Sequence, residues 1–499
     1  MTATVTPYRS TATPGRDGFA GLVRAEWTKF RTVRGWVVGM LVAIAVTVLV
    51  GLLGPLGSHL VCSGPNGETC GSNRPPAGPD GTAVHDSFYF VQRPLTGAGS
   101  ITVRVSTLTG AEPWAKAGLL VKDGLDAGAR YAAVMVTGGH GVRMQYDFTA
   151  DTAGPATSSE FQWLRLTRAG DTLTGYASMD GTRWSTVGVV DLDGLPSTVR
   201  AGLFVTSPAH VETTRTFGGA SGSGGPTVAT ATFDRVETDG GWRDSWTGTA
   251  VDTEDTGFAE SDGRFTVRGS GDIAPIVPGQ GEIGKNLEDS LVGVFAGLIA
   301  VLVVATMFVT GEYRRGLIRT TLAAAPGRGR LLAAKALVIG SVAFVTGVVA
   351  AALSVPLVGM AQRAKGFFVY PVSTWTELRV IVGAGLLFAV TAVLALAVGT
   401  VLRRGAGTVT LVVVAVVLPY LMAVASVLPT GPADWLLRLT PAAGFAVQQS
   451  MPEYAQVAAS YTPADGYFPV SPLGGLVIAG VYTAVALTLA AVTLRRRDA

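Results

Sequence analysis

Residues Gly311–Arg330 read GEYRRGLIRTTLAAAPGRGR and lie between two long uncharged apolar runs. The stretch carries five arginines and closes on the helix-breaking pair Pro326-Gly327. A chain that leaves one apolar run into arginines, has room for a short helical turn, and enters a second run is laid out for the basic face of a membrane. On such a turn Leu317, Ile318 and Leu322 form an apolar ridge, and Arg315 and Arg319 stand one turn apart. Glu312 is costly at a bilayer boundary unless it is paired. Simple anchoring needs neither a helical turn nor a break. The pattern therefore points to a docking element that receives force from a soluble partner.

Working outward, the 499-residue chain contains 15% charged residues and has a mean hydropathy of +0.40. Soluble domains carry about 25% charge. Six uncharged runs are long enough to cross a bilayer, which takes roughly 20 residues. They are Trp36–Leu56, Ser290–Gly311, Ala336–Gly359, Val380–Leu402, Gly407–Leu428 and Pro472–Leu494. The corresponding spans are read as 36–56, 290–311, 331–359, 380–402, 407–428 and 472–494. One central charge costs about 2.5–3.5 kcal/mol on insertion scales, so its absence from all six runs is what permits insertion.

Basic residues set the orientation. Segments 1–35, 312–335, 403–406 and 495–499 hold 17 Lys and Arg, against Arg363, Lys365, Arg379 and Arg438 in the two short loops of the other side. Both termini and the arginine-rich loop are expected in the cytoplasm, with residues 57–289 outside. Residues 57–285 contain 17 basic and 25 acidic residues, so the basic balance sits at the lipid boundary and nucleic-acid binding is not expected. The first run has a long charged leader and no small-residue cleavage site, and reads as an uncleaved anchor. Cys62 and Cys70 fall just outside it. Outside the cell they are expected to form a disulfide, the rival reading being a metal site with His59.

Residues 1–18 are rich in Thr, Pro and Gly and are expected to be disordered. Residues 19–35 have helical periodicity, with Phe19, Leu22, Val23, Trp27, Phe30 and Val33 on one face and Arg24, Thr28 and Arg31 opposite. A basic amphipathic helix beside a span lies in the interface plane. Glu26 falls inside its apolar arc, and an arginine elsewhere in the chain is the expected partner. Residues 85–216 alternate with period 2, as in Ile101, Val103 and Val105 or Val142, Met144 and Tyr146. Turn signals recur at Asp123-Gly124, Gly138-Gly139 and Asp180-Gly181. This is the pattern of an antiparallel β-sandwich. GGASGSGGP at 218–226 reads as a flexible linker, strand-like sequence continues over 226–275 to complete the sandwich, and 429–471 is an outer loop with an apolar patch at Trp435–Leu439. The fold class is a polytopic α-helical membrane protein of six spans with an extracytoplasmic antiparallel, jelly-roll-like β-sandwich inserted after the first.

Two segments, AEWTKFRTVRGW (Ala25–Trp36) and GEYRRGLIRTTLAAAPGRGRLLAAK (Gly311–Lys335), strongly resemble the permease subunits of ABC-2 type bacterial transporters. The resemblance covers 19–56 and 290–499. It implies a coupling role, contacting an ATP-binding subunit, for Glu312, Tyr313, Arg314, Arg315, Gly316 and Arg319. It implies a connecting-helix role for Glu26, Trp27, Lys29, Arg31 and Arg34. A separate subunit then binds ATP and magnesium, a second permease subunit completes the pathway as a homo- or heterodimer, and export is the implied direction. Family members join the first two spans by a short loop, whereas here more than 200 residues intervene. Asp86–Val105 and Trp114–Gly124 look like concanavalin-like domains found beside bacterial glycan enzymes. There a strand resembling FTVRGSGDI precedes the DSF segment, but here it is Phe265–Ile273, so a circularly permuted sandwich is expected.

No pair of carboxylates in the sandwich can be placed at glycosidase spacing, and the four histidines sit in no triad or metal motif. A glycan- or cell-wall-binding role and a gating cap are both open. Gly279–Asn286, GQGEIGKN, fits the phosphate-loop spacing but ends in Asn where a Ser or Thr must hold magnesium, so neither an ATP site nor another cofactor is expected in this chain. The charge-free spans suit an amphipathic, lipid-like or drug-like cargo. The rival class is a non-transporting surface anchor that displays a glycan-sensing sandwich.

Overall fold

The computed structural model describes residues 18–57, 74–110, 112–155, 162–216, 219–254, 256–280, 284–314, 316 and 327–497. Helix α1 (Phe19–Thr32) ends where Val33 turns extended. Helix α2 (Arg34–Gly57) follows at once and leads toward a large antiparallel β region. Its main strands are β1 (Val84–Asp86), β2 (Phe88–Thr109), β3 (Lys116–Lys122), β4 (Tyr131–Thr137), β5 (Val142–Tyr146), β6 (Ala150–Ala153), β7 (Gln162–Ala169), β8 (Thr172–Ser178), β9 (Ser185–Asp191) and β10 (Thr198–Thr206). The chain continues through β11 (His210–Thr216), β12 (Gly219–Gly225), β13 (Val228–Trp242), β14 (Thr247–Val251), β15 (Gly257–Ser261), β16 (Arg264–Ser270) and β17 (Ile273–Pro275).

The 22-residue β2 organises this region. Its first half pairs with β10 and β14, its second half with β7 and β13. Gly97, between the halves, has a φ of 69°, which favours a residue without Cβ. The strand thereby turns a corner and serves two layers, β14-β2-β10-β3-β4-β5-β6 and β16-β13-β2-β7-β8-β9. Between the layers Val103, Leu119, Val134, Met144, Leu164 and Leu173 are buried in one core. Phe265 and Val267 of β16 are 2% and 0% exposed in that core. A second core lies on the far side of β3 and β4, around Phe88, Phe90, Tyr131, Phe148 and Phe204. Two buried ion pairs border it: Lys116 Nζ to Asp272 Oδ1 at 2.6 Å, and Lys122 Nζ to Asp86 Oδ2 at 2.8 Å.

The reading of 218–226 as a flexible linker is corrected. Gly219–Gly225 is a strand that pairs residue for residue with His210–Thr216. A two-stranded ladder uses main-chain N–H and C=O groups only, so a composition without side-chain signal is compatible with pairing.

Among the described residues six helices are long and apolar enough to cross a membrane. Besides α2 they are α3 (Val294–Arg314, preceded by a 3-10 turn at Glu288–Leu291), α4 (Arg328–Ala364), α5 (Thr374–Leu402), α6 (Gly405–Val424) and, after the short α7 (Thr430–Leu439), α8 (Pro472–Arg497). Central α5 packs against α3, α4, α6 and α8. It meets α4 where Gly347 faces Gly385. A Cβ on Gly347 would come 2.9 Å from the Gly385 Cα, the close approach that small residues allow between helices in lipid. Pro441–Gln448, within the long loop, is a fully buried 3-10 segment that packs on α5, α6 and α8.

The β region sits on one end of this bundle. Ala83, Ala274, Ile276 and Val277 share a core with Tyr370, Met451 and Val457. Gln456 Nε2 donates to the Phe148 and Thr149 carbonyls at 3.4 and 3.1 Å. Strand β18 (Gly284–Lys285) pairs in parallel with β19 (Phe368–Val369).

Candidate functional site

The opposite end of the bundle gathers the basic residues. There α1, the C-terminus of α3 and the N-terminus of α4 meet in a four-charge cluster. Lys335 Nζ donates to Glu26 Oε2 at 2.8 Å and to Glu312 Oε1 at 2.7 Å. Lys29 Nζ donates to Glu26 Oε1 at 2.7 Å and to Glu312 Oε1 at 3.2 Å. The side chains of Lys335, Glu26 and Glu312 are 3%, 2% and 9% exposed, that of Lys29 39%. Two carboxylates and two ammoniums cancel, which is the condition under which buried charges are tolerated.

Local sequence explains the geometry. Glu26 and Phe30 lie one turn apart on α1 and are its two buried residues. Glu312 belongs to the last turn of α3, and Lys335 lies two turns into α4. Beneath the charges is an aromatic floor. The Phe308 ring lies 6.1 Å from Phe30 and 5.1 Å from Trp36, both edge-on, and Lys335 Nζ stands 5.0 Å over its face. For Lys29, burial works against the charge. The hydrogen bond to Glu26 and the field of Glu312 outweigh it, so its pKa lies above the ordinary lysine value.

The expected arginine partner of Glu26 is thus corrected to two lysines. Lysine reaches through a narrow helix junction as a compact charge with three donors, and here it serves two carboxylates at once. Lys335 was missed. Its signal was present: a lysine at the mouth of an apolar run, facing two acids that both lacked a partner.

The remaining site residues spread over the same end. Glu312, Tyr313 and Arg314 are the last turn of α3 rather than the start of a separate element. Tyr313 lies under the guanidinium of Arg403 at 5.2 Å, which joins α3 to the end of α5. Arg314 and Gly316 are exposed. Trp27 stacks on Phe30 at 6.4 Å and is 46% exposed on the outer side of α1. Arg31 and Arg34 are exposed. Arg328 Nη1 donates to the Leu494 carbonyl at 2.8 Å and the Arg495 carbonyl at 3.2 Å, closing the C-terminal end of α8 with a cation. Arg315, Arg319, the ridge Leu317–Leu322, Cys62, Cys70 and His59 lie outside the described residues.

These features define a membrane-embedded helical protein with a charge-bolted basic end and a β region at the other. The model of the ABC-2 family transporter proteins matches residues 160–499. The chain belongs to that ABC-2 transporter family, as a permease. The match takes in α3 to α8 and the later part of the β region, while α1 and α2 precede it. A comparison with curated proteins finds no match. Among solved structures the chain is similar to a functionally unknown protein from Saccharomyces cerevisiae, at 20% identity, covering 33% of this chain and 76% of that one with a TM-score of 0.19. It is also similar to the GH43 protein BlXynB from Bacillus licheniformis, at 14% identity over 22% of this chain and 24% of that one, TM-score 0.19. Scytalido-glutamic peptidase is similar at 11% identity over 38% of this chain and 100% of that one, TM-score 0.25. TM-scores this low carry no argument about fold or chemistry.

Proposed function

We propose that this chain is the membrane subunit of an ATP-driven exporter, with nucleotide bound and hydrolysed by a separate subunit. That subunit docks on Gly311–Arg330 and on residues 19–35, from the cytoplasm, and ATP-driven closure pushes there. The observation that carries the reading is the Glu26–Lys29–Glu312–Lys335 cluster. It fastens α1, α3 and α4 into one unit at the basic end, so a push on any of the three moves all three. Central α5, packed against α3 and α4, passes the motion to the rest of the bundle. A second permease subunit, identical or related, lines the pathway with it.

The central stretches of the helices carry no charge, which favours an amphipathic, lipid-like or drug-like cargo over an ion path through carboxylates at the membrane centre. The β region, bound to the loop 429–471 through Gln456 and the Met451–Val457 core, acts as an outer cap on the pathway. Co-purification tests the reading. The full chain should retain an ATP-binding protein and lose it on charge reversal of Arg314, Arg315 and Arg319. Undiminished retention by that variant would remove the docking assignment and favour a non-transporting anchor.

A further inference from the structure

A small cavity opens at the β-region end of the bundle, remote from the charge cluster. It has a volume of 140 Å³ and lies between the last turns of α2 (Gly51, Gly54), the lead-in to α3 (Lys285, Asp289), and Gln362 and Phe367 at the end of α4. Its polar groups are unusual for an apolar helix junction. Gln362 is only 2% exposed, lines the cavity, and its Oε1 is buried without a hydrogen-bond partner. Leaving such a buried acceptor without a hydrogen bond is unfavourable, so the site favours a donor there. Asp289 uses Oδ2 to accept from the Asn286 N–H at 3.0 Å. Lys285 stands 5.4 Å over the Phe367 ring. Among the described residues no ion pair joins Lys285 to Asp289, although both line the cavity. The lead-in to α3 therefore presents a cation and a carboxyl group, and the end of α4 presents a second hydrogen-bond acceptor.

The mouth faces outward. Gly54 has open space where a Cβ would stand, and the adjacent face of α2 exposes Leu49, Leu53 and Leu56 at 61%, 66% and 60%. An apolar track thus runs up to a polar pocket at the level where headgroups lie.

We propose that this cavity is a headgroup site for a phospholipid with a primary ammonium. Lys285 pairs with the phosphate, and Asp289 and Gln362 Oε1 accept the ammonium N–H groups. A quaternary ammonium has no N–H to offer, and a glycerol headgroup has no cation for Asp289. The site therefore selects phosphatidylethanolamine over phosphatidylcholine and phosphatidylglycerol. The proposal rests on the membrane reading and not on the ATP-binding partner, so loss of partner docking leaves it intact.

The test uses the purified full chain in detergent with mixed micelles of dioleoyl phosphatidylethanolamine, phosphatidylcholine and phosphatidylglycerol in equal amounts. Native mass spectrometry reads the retained lipid. One phosphatidylethanolamine should be retained with roughly tenfold preference over phosphatidylcholine, the ratio expected from a hydrogen bond between a charged and a buried group. Gln362→Leu leaves Asp289 as the one acceptor and should reduce that preference several-fold, and Lys285→Ala should weaken both lipids together. Mono- and dimethylated ethanolamine headgroups on the unaltered chain should bind progressively less, which decides the matter even where a variant fails to fold. Equal retention of ethanolamine and choline lipids, preference for the glycerol lipid, or full preference in Gln362→Leu would overturn the proposal.

Discussion

Replacing Lys335 with methionine removes the ammonium shared by two buried carboxylates. Methionine keeps the length and apolar stem, so packing on Phe308 is retained and the charge is what changes. In the native cluster Lys335 holds Glu26 at 2.8 Å and Glu312 at 2.7 Å. Without it, two buried carboxylates share Lys29, whose side chain is 39% exposed. Removing one member of a buried ion pair costs about 3–5 kcal/mol. The half-exposed Lys29 is worth no more than about 1 kcal/mol. At about 2–4 °C per kcal/mol for a unit of this size, Lys335→Met should lower the unfolding midpoint of the helical part by roughly 6–20 °C. Lys29→Met should lower it by only a few degrees. Tryptophan fluorescence in detergent suits the assay, because Trp27 and Trp36 both flank the cluster. Adding Glu26→Gln to Lys335→Met leaves one Lys29–Glu312 pair and no excess charge. A substantial part of the loss should return, with a coupling of about 0.5–3 kcal/mol. Equal losses for the two lysine variants, or strict additivity in the double variant, would refute the cluster as a bolt.

Two further outcomes follow from the same physics. Because the folded pKa of Lys29 is raised, its contribution is complete below the ordinary lysine value of 10.5 and is lost as pH climbs through the folded value. The helical unfolding midpoint should hold level from neutral pH to that point and fall above it, more in the wild type than in Lys29→Met; a titration fall below pH 9 would contradict the assignment. In the β region, Phe265→Ala should cost about 3–5 kcal/mol, since Phe265 is 2% exposed in the core between the layers. A calorimetric change under 1 kcal/mol would show that β16 is an ornament rather than a structural strand, and would end the permuted reading of the domain.

The helices were legible because a bilayer demands a long run without charge, and each such run announces itself. Their ends were less so. The helix α4 begins at Arg328, ahead of the span expected from 331, because Arg328 and Lys335 satisfy themselves on carbonyls and carboxylates of neighbouring elements. The period-2 alternation around Ile101–Val105 exposed a buried face, since all three apolar residues lie at 2% exposure or less. Gly219–Gly225 was illegible for the converse reason, because main-chain pairing leaves no mark on side-chain composition. Glu26 and Glu312 advertised a missing cation. Lys335 stood at the mouth of an apolar run as a candidate, but it is 309 positions from Glu26 and only the fold brings them together. The interior of Pro441–Gln448 was hidden too: apolar and small, it resembles any loop patch until α5, α6 and α8 close over it.

A photocrosslinking residue in place of Arg314 puts the central claim to trial. It is exposed at the tip of α3, and Trp375, 74% exposed at the start of α5 on the opposite end, serves as the control position. The chain would be irradiated in cells that also express the ATP-binding subunit proposed as its partner. An adduct with a nucleotide-binding protein at position 314, absent at position 375, is the expected result. Capture of that protein at 375, or at neither position while it co-purifies, would contradict a cytoplasmic, partner-driven basic end.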